Sequence, residues 1–290
     1  MRAVVLGASG VIGRALVPEL ALGCDVVAAS RRAQPADGGV ESASADVTDV
    51  ASLDGLFREG DVVVHLVHSL GTGDFEAVDR LAADNVAAAS ARAGVRQIVY
   101  LGGLGATADA ASSHLRSRAE TAERLAGGPV PVTVLRAAMV VGPGSAAFET
   151  IRALVDRLPA MICPRWVSTP TQPIALRDVV RYLSGVCGLE AAHGESFDVG
   201  GPEVMTYREM MERIARLRGK RLPIVEVPVL TPRLSSWWLH LVTPVNAAVA
   251  RPLIDGLRTP TVAGDDRIRE LVPIELTSFD DAVRDALAAR

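Results

Sequence analysis

Two short stretches of this chain carry residue types at spacings that chemistry can use. The first is Gly7-Ala8-Ser9-Gly10-Val11-Ile12-Gly13, which follows the apolar run Arg2–Leu6 and leads into a segment of helical periodicity. Gly7 permits a tight turn, Gly10 omits the Cβ that would hold a phosphate away, and Gly13 lets the helix pack on the strand. Ser9, Val11 and Ile12 complete a turn whose free N–H groups and positive helix end suit a pyrophosphate. The second stretch is Ser113-His114-Leu115-Arg116-Ser117-Arg118, where His114 and Arg118 stand four apart and so share one helix face. An unperturbed histidine titrates near about 6.5, which suits a proton donor at neutral pH. Arg118 can hold hydroxyls but cannot exchange protons. On the sequence alone, His114 serves equally well as a packing or capping residue after Ser112-Ser113.

Other positions bear on which ligand the glycine turn holds. The second apolar run, Asp25–Ala29, is followed by Ser30-Arg31-Arg32, and no carboxylate lies between Val26 and Gln34. A site for NAD places an acidic side chain here for the ribose 2′-hydroxyl, whereas NADP needs a cation for its 2′-phosphate. Arg31, with Arg32 in support, therefore predicts NADP over NAD. Asp46 and Val47 are placed to meet the adenine edge, and Val67-His68 ends a strand near the cofactor. His65 reads as a satisfied core residue, and His193 and His240 have no local partner pattern. Metal-ligand spacing is absent.

These residues need a scaffold, and the order of elements supplies one. From residue 2 to about 136, runs of four to eight apolar residues (Arg2–Leu6, Asp25–Ala29, Asp61–Val67, Val95–Leu101, Val132–Arg136) alternate with helical stretches such as Asp74–Ala93. In that stretch Phe75, Val78, Leu81, Ala82, Val86 and Ala89 form the apolar side. The alternation predicts α/β architecture, a doubly wound parallel Rossmann sheet, with a small C-terminal α/β cap. After Gly142-Pro143-Gly144 the pattern turns to helices (Ala146–Arg157, Arg177–Cys187, Tyr207–Arg218) separated by short strands and prolines. Residues 1–144 are expected to form the cofactor half. Residues 145–290 are expected to supply the remaining sheet elements and a substrate-facing cap.

Composition narrows the partners. Net charge is −4 over 290 residues, with no basic balance that would point to nucleic acid. The run Trp237–Val242 is too short to span a bilayer and reads as a cap helix. Cys24, Cys163 and Cys187 read as reduced core thiols, and no leader precedes the first strand, so a cytoplasmic location is expected.

The ordered series Gly7/Gly10/Gly13, Asp46, Asp61–His65, Asn85, Tyr100-Leu101-Gly102-Gly103, Leu135-Arg136, Val141-Gly142-Pro143 and Asp198-Val199-Gly200-Gly201-Pro202 resembles extended or atypical short-chain dehydrogenases/reductases. It most resembles the branch that includes bacterial NAD(P)-binding proteins and the Rossmann-type accessory subunit of respiratory complex I. The resemblance implies a nicotinamide cofactor, with Asn85 among the residues around it. It also implies a small-molecule substrate and, because the family often pairs through helices of the Rossmann half, a homodimer.

The resemblance also implies a Tyr-x-x-x-Lys pair, which this chain cannot supply. Lys220 is the only lysine and is preceded four positions earlier by Arg216, while the three tyrosines are followed at that spacing by Leu104, Val186 and Met211. His114 and Arg118 take the two positions, and Gly102-Gly103 replaces the family's serine. The leading expectation is an NADP-dependent oxidoreductase acting on a small, mainly apolar carbonyl or alcohol. Phe148, Met161, Trp166, Trp237 and Trp238 then serve either as pocket lining or as core. A non-redox isomerase, epimerase or lyase, and a non-catalytic NADP-binding sensor or assembly protein, are the alternatives.

Overall fold

The computed structural model describes residues 1–33, 35, 39–69, 74–107, 109–110, 112–227 and 256–289. The segment with Trp237, Trp238 and His240 lies outside the described residues.

Strands β1 (Arg2–Leu6), β2 (Asp25–Ser30), β3 (Glu41–Ser44), β4 (Val62–His65), β5 (Gln97–Gly103) and β6 (Val132–Ala137) are all parallel. The apolar runs form central strands because helices cover both faces. Helix α1 (Val11–Leu20) packs on one side, while α2 (Phe75–Ala93) and α3 (Ser113–Ala126) pack on the other. Asp74 caps α2 by accepting the Ala77 N–H at 3.3 Å, and Gly94 ends it at φ 69°. Leu81, expected on the apolar side of that helix, is 48% exposed, because α2 turns its Ala82, Ala83 and Val86 inward instead.

The second half continues through β7 (Val140–Val141), α4 (Ala146–Arg157), β8 (Met161–Pro164), β9 (Pro170–Thr171), β10 (Ile174–Ala175), α5 (Leu176–Val186) and β11 (Ser196–Val199). It ends with β12 (Met205–Thr206), α6 (Tyr207–Leu217), β13 (Ile224–Val227), α7 (Arg267–Leu271) and α8 (Phe279–Ala288). Strand β11 joins the main sheet, giving the order β11-β6-β5-β4-β1-β2-β3, and α5 packs beside α1. Phe148, Met161 and Trp166 belong to a separate core of this half, with Trp166 edge-on to Tyr207 at 6.3 Å. Phe148 and Met161 are buried in that core, and Trp166 packs half-buried against it.

The sheet order reverses between β1 and β4, and open α/β sheets bind ligands outside the carboxyl ends of the strands at such a point. Here the turn after β1 lies against the chain leaving β4: a Cβ at Gly7 would come within 3.2 Å of the Leu66 carbonyl carbon.

Candidate active site

The glycine turn is built by contact as well as by spacing. Gly7 takes φ +86°, a conformation that side chains rarely adopt. Gly10 donates its N–H to the Gly7 carbonyl at 2.9 Å and stands as the N-cap of α1 with no side-chain cap. The N–H groups of Val11, Ile12 and Gly13 therefore open the helix without intrahelical partners. Ser9 is exposed, and its carbonyl accepts Arg14 Nε–H at 2.8 Å. Gly144, at the start of the second half, sits so near that a Cβ there would meet Val11 Cγ2 at 3.2 Å. A side chain at Gly7 or Gly13 would run into the backbone that shapes this turn, and the open N–H groups at the start of α1 suit a pyrophosphate.

At the next strand end, Ser44 Oγ donates to the Arg31 carbonyl at 3.1 Å and Ser30 Oγ donates to the Arg32 carbonyl at 2.7 Å. These bonds fix the backbone while both arginine side chains stay exposed. Asp46 accepts the Thr48 N–H at 2.9 Å and its hydroxyl at 2.7 Å. Those two bonds, aided by Arg31 nearby, hold its carboxyl below the usual range despite some burial. Asn85 does not stand free in the cleft. Its Nδ2 donates to the Val47 carbonyl at 3.0 Å and so ties α2 to that loop.

The third group gathers at the carboxyl ends of β4 and β5. His68 Nδ1 lies 2.6 Å from Asp79 Oδ2, and His68 Nε2 lies 3.1 Å from His114 Nδ1. Asp79, on α2 and 4% exposed, also accepts the Ser69 N–H at 2.8 Å and Ser117 Oγ–H at 3.0 Å. Arg118 donates to the Leu101 carbonyl at 2.9 Å and approaches the Tyr100 hydroxyl at 3.5 Å. His65 lies under the cluster against the Tyr100 ring at 5.9 Å. Its buried Nδ1 meets no hydrogen-bonding partner among the described residues, unlike the satisfied core residue that its place in a strand predicts.

Burial dominates the electrostatics of this cluster. It pushes His114 down to about 2, helped by the Arg118 and His68 charges and opposed by Asp79. It lowers His65 to about 4, and it lowers His68 too, with Arg118 adding to the effect and Asp79 opposing it. For Asp79 burial acts the other way, but the bonds from His68, Ser69 and Ser117 outweigh it and hold the carboxyl at about 2. Burial thus favours the neutral ring for His114, below the neutral-pH value that an unperturbed histidine would have.

The sequence had separated these residues. It placed His68 beside the cofactor and His114 with Arg118, whereas the structure joins His68 to His114 through a hydrogen bond. It missed Asp79 and Ser117 altogether. The signal for Asp79 was present, since it falls four after Phe75 and three before Ala82, a carboxylate on an apolar helix stripe. Gly102 and Gly103, in place of a serine, open a cleft of about 190 Å³ that Arg118, Thr107 and Arg136 also line.

A family model described as NAD(P)H-binding matches residues 7–129, the span that holds the glycine turn and the His68–Asp79–His114 cluster. That span, less than half of the chain, is similar to NAD(P)H-binding proteins, and the relatives that follow share its likeness to atypical short-chain dehydrogenases/reductases. A mitochondrial NADH dehydrogenase [ubiquinone] 1 alpha subcomplex subunit 9 of Arabidopsis thaliana is 25% identical over 227 residues, 72% of this chain but only 56% of that one. A (4-alkanoyl-5-oxo-2,5-dihydrofuran-3-yl)methyl phosphate reductase of Streptomyces griseus is 29% identical over 236 residues, 78% of this chain and 77% of that one. The Citrobacter sp. triphenylmethane reductase solved with NADP(H) superposes with a TM-score of 0.78 at 19% identity, covering 99% and 100% of the two chains. The chain keeps a dinucleotide turn at Gly7, Gly10 and Gly13, and His114 and Arg118 stand four apart, the spacing that the resemblance gives to a tyrosine–lysine pair. No described helix is long and apolar enough to cross a membrane.

Proposed function

We propose that this chain is an NADP-dependent oxidoreductase that transfers hydride between the nicotinamide and a small, mainly apolar carbonyl or alcohol. The observation that carries this reading is the meeting of His114, the His68–Asp79 pair and Arg118 at the carboxyl ends of β4 and β5, one strand from the glycine turn. The bound nicotinamide would supply or take the hydride. The chain's own residues do the rest. Gly7, Gly10 and Gly13 with the N–H groups of Val11 and Ile12 hold the pyrophosphate, and Arg31 meets the 2′-phosphate. Arg118 holds the ribose end, and His114 handles the substrate proton.

Likeness to the plant respiratory subunit and the missing tyrosine–lysine pair favour a second reading, a cofactor-binding protein without turnover. One experiment separates the two. The protein is titrated with NADPH and NADH, then assayed for hydride transfer against panels of aldehydes, ketones and alcohols. Binding with turnover supports the oxidoreductase, and binding without turnover supports the second reading. Failure to bind either nucleotide overturns both.

A further inference from the structure

We propose that Asp79 and His68 are positioning residues that fix the tautomer of His114, so that its Nε2 faces the substrate as a bare lone pair and takes the proton of a substrate hydroxyl. The inference rests on the oxidoreductase reading and names the direction and substrate group that the site is built for.

The tautomers follow from counting donors and acceptors. Both oxygens of the Asp79 carboxylate are acceptors, already met by the Ser69 N–H at 2.8 Å and the Ser117 hydroxyl at 3.0 Å. At 2.6 Å from Oδ2, His68 Nδ1 must carry a proton, since otherwise two lone pairs would face each other in a buried setting. A neutral ring protonated on Nδ1 has a bare Nε2. That nitrogen lies 3.1 Å from His114 Nδ1, so His114 donates, and its own proton therefore sits on Nδ1. The remaining nitrogen, His114 Nε2, is left bare. Two tilted rings, their centroids 5.0 Å apart, thus pass one carboxylate's preference from inside α2 to the face of α3.

The surroundings keep both rings neutral before reaction. Near them are Arg118 from α3 and His65 from β4, with Asp79 as the neighbouring carboxylate, while Tyr100 from β5 packs on His65 and meets Arg118. In the step itself the substrate O–H bond breaks with its proton going to His114 Nε2. The adjacent C–H bond gives its electron pair, as hydride, to oxidised nicotinamide, and the C–O bond becomes double. The imidazolium so formed is stabilised through His68 by the Asp79 carboxylate, as a buried aspartate does for a catalytic histidine elsewhere, here one ring further away. The reverse step needs that imidazolium at the outset, which burial and Arg118 oppose. The arrangement favours alcohols as substrates over unactivated ketones.

The test reads the tautomers directly. In the 15N-labelled full chain, with and without NADP⁺, long-range imidazole 15N–1H spectra should show His68 and His114 protonated on Nδ1 and bare on Nε2. In Asp79→Asn the Ser69 N–H still demands an oxygen, so the amide NH₂ must turn toward His68 Nδ1. Both rings should then switch, leaving His114 Nε2 protonated. Alcohol oxidation should fall about 10²–10⁴-fold in kcat, the worth of a positioned acid–base group, with KM little changed. Ser117→Ala, which leaves the His68 bond intact, should keep the wild-type tautomers. A protonated His114 Nε2 in the wild type, or unchanged tautomers in Asp79→Asn, overturns the proposal. Correct tautomers with NADP⁺ bound and no alcohol oxidised overturn the oxidoreductase reading instead.

Discussion

A Cβ at Gly13 would come within 2.5 Å of the Gly7 carbonyl oxygen and 2.7 Å of Ala8 Cα. Both neighbours are backbone atoms of the phosphate turn, so neither can yield without moving the turn. Gly13→Ala should cost about 1–3 kcal/mol of stability, the usual range for overpacking, and should weaken NADPH and NADH binding alike. Urea unfolding and nucleotide titration measure the two effects. A variant that unfolds earlier yet binds normally would separate the packing role from the binding role.

Arg31 should set cofactor choice. A charge-assisted hydrogen bond contributes about 1.5–3 kcal/mol, so the wild type should prefer NADPH to NADH by about tenfold or more. Arg31→Ala should remove that preference while leaving NADH affinity unchanged. Equal affinities in the wild type would assign these arginines to the solvated surface.

His114→Ala should lower turnover by about 10²–10⁴-fold with cofactor affinity nearly constant. Arg118→Ala should act differently. Removing its charge lets His68 and His114 protonate at higher pH, so the acid limb of the pH–rate profile should move upward. It should also weaken nucleotide binding. An unmoved acid limb would show that Arg118 does not govern the histidines.

His65 should make the fold acid-sensitive. Its folded pKa is about 4 against an unfolded value near about 6.5, so the unfolded chain binds the proton first. The His65 share of stability should therefore decline as pH falls from about 6.5 and be lost below its folded value, about 3 kcal/mol in all, with His68 and His114 adding their own losses. Urea midpoints at pH 7, 6 and 5 for the wild type and His65→Gln check this. A variant with the wild-type slope would place the acid sensitivity elsewhere.

The central strands were legible because a strand covered on both faces is mostly apolar, as in the Ala3–Leu6 run of β1, the Val62–Val64 run of β4 and the Val134–Leu135 step of β6. Strand β3 was not, since Glu41–Ser44 reads ESAS and only one neighbour pairs with it at the sheet edge. The glycine turn announces itself because its chemistry is local to seven residues. The His68–Asp79–His114 cluster does not, because Asp79 lies 11 positions from His68 and His114 lies 46 from it. Their meeting depends on how α2 packs against α3 and where β4 ends, neither of which is written in the spacing of any one segment.

Strand β11 also has a consequence for how the chain is made. Residues 196–199 pair with β6, whose last residue is Ala137, so a ribosome must deliver about sixty more residues before that edge is covered. Until then the nascent chain presents an open parallel edge, the kind of surface that templates aggregation. Translation speed over that interval, and chaperones waiting at the tunnel exit, thus bear on the yield of a sheet whose ligand-binding end was finished long before.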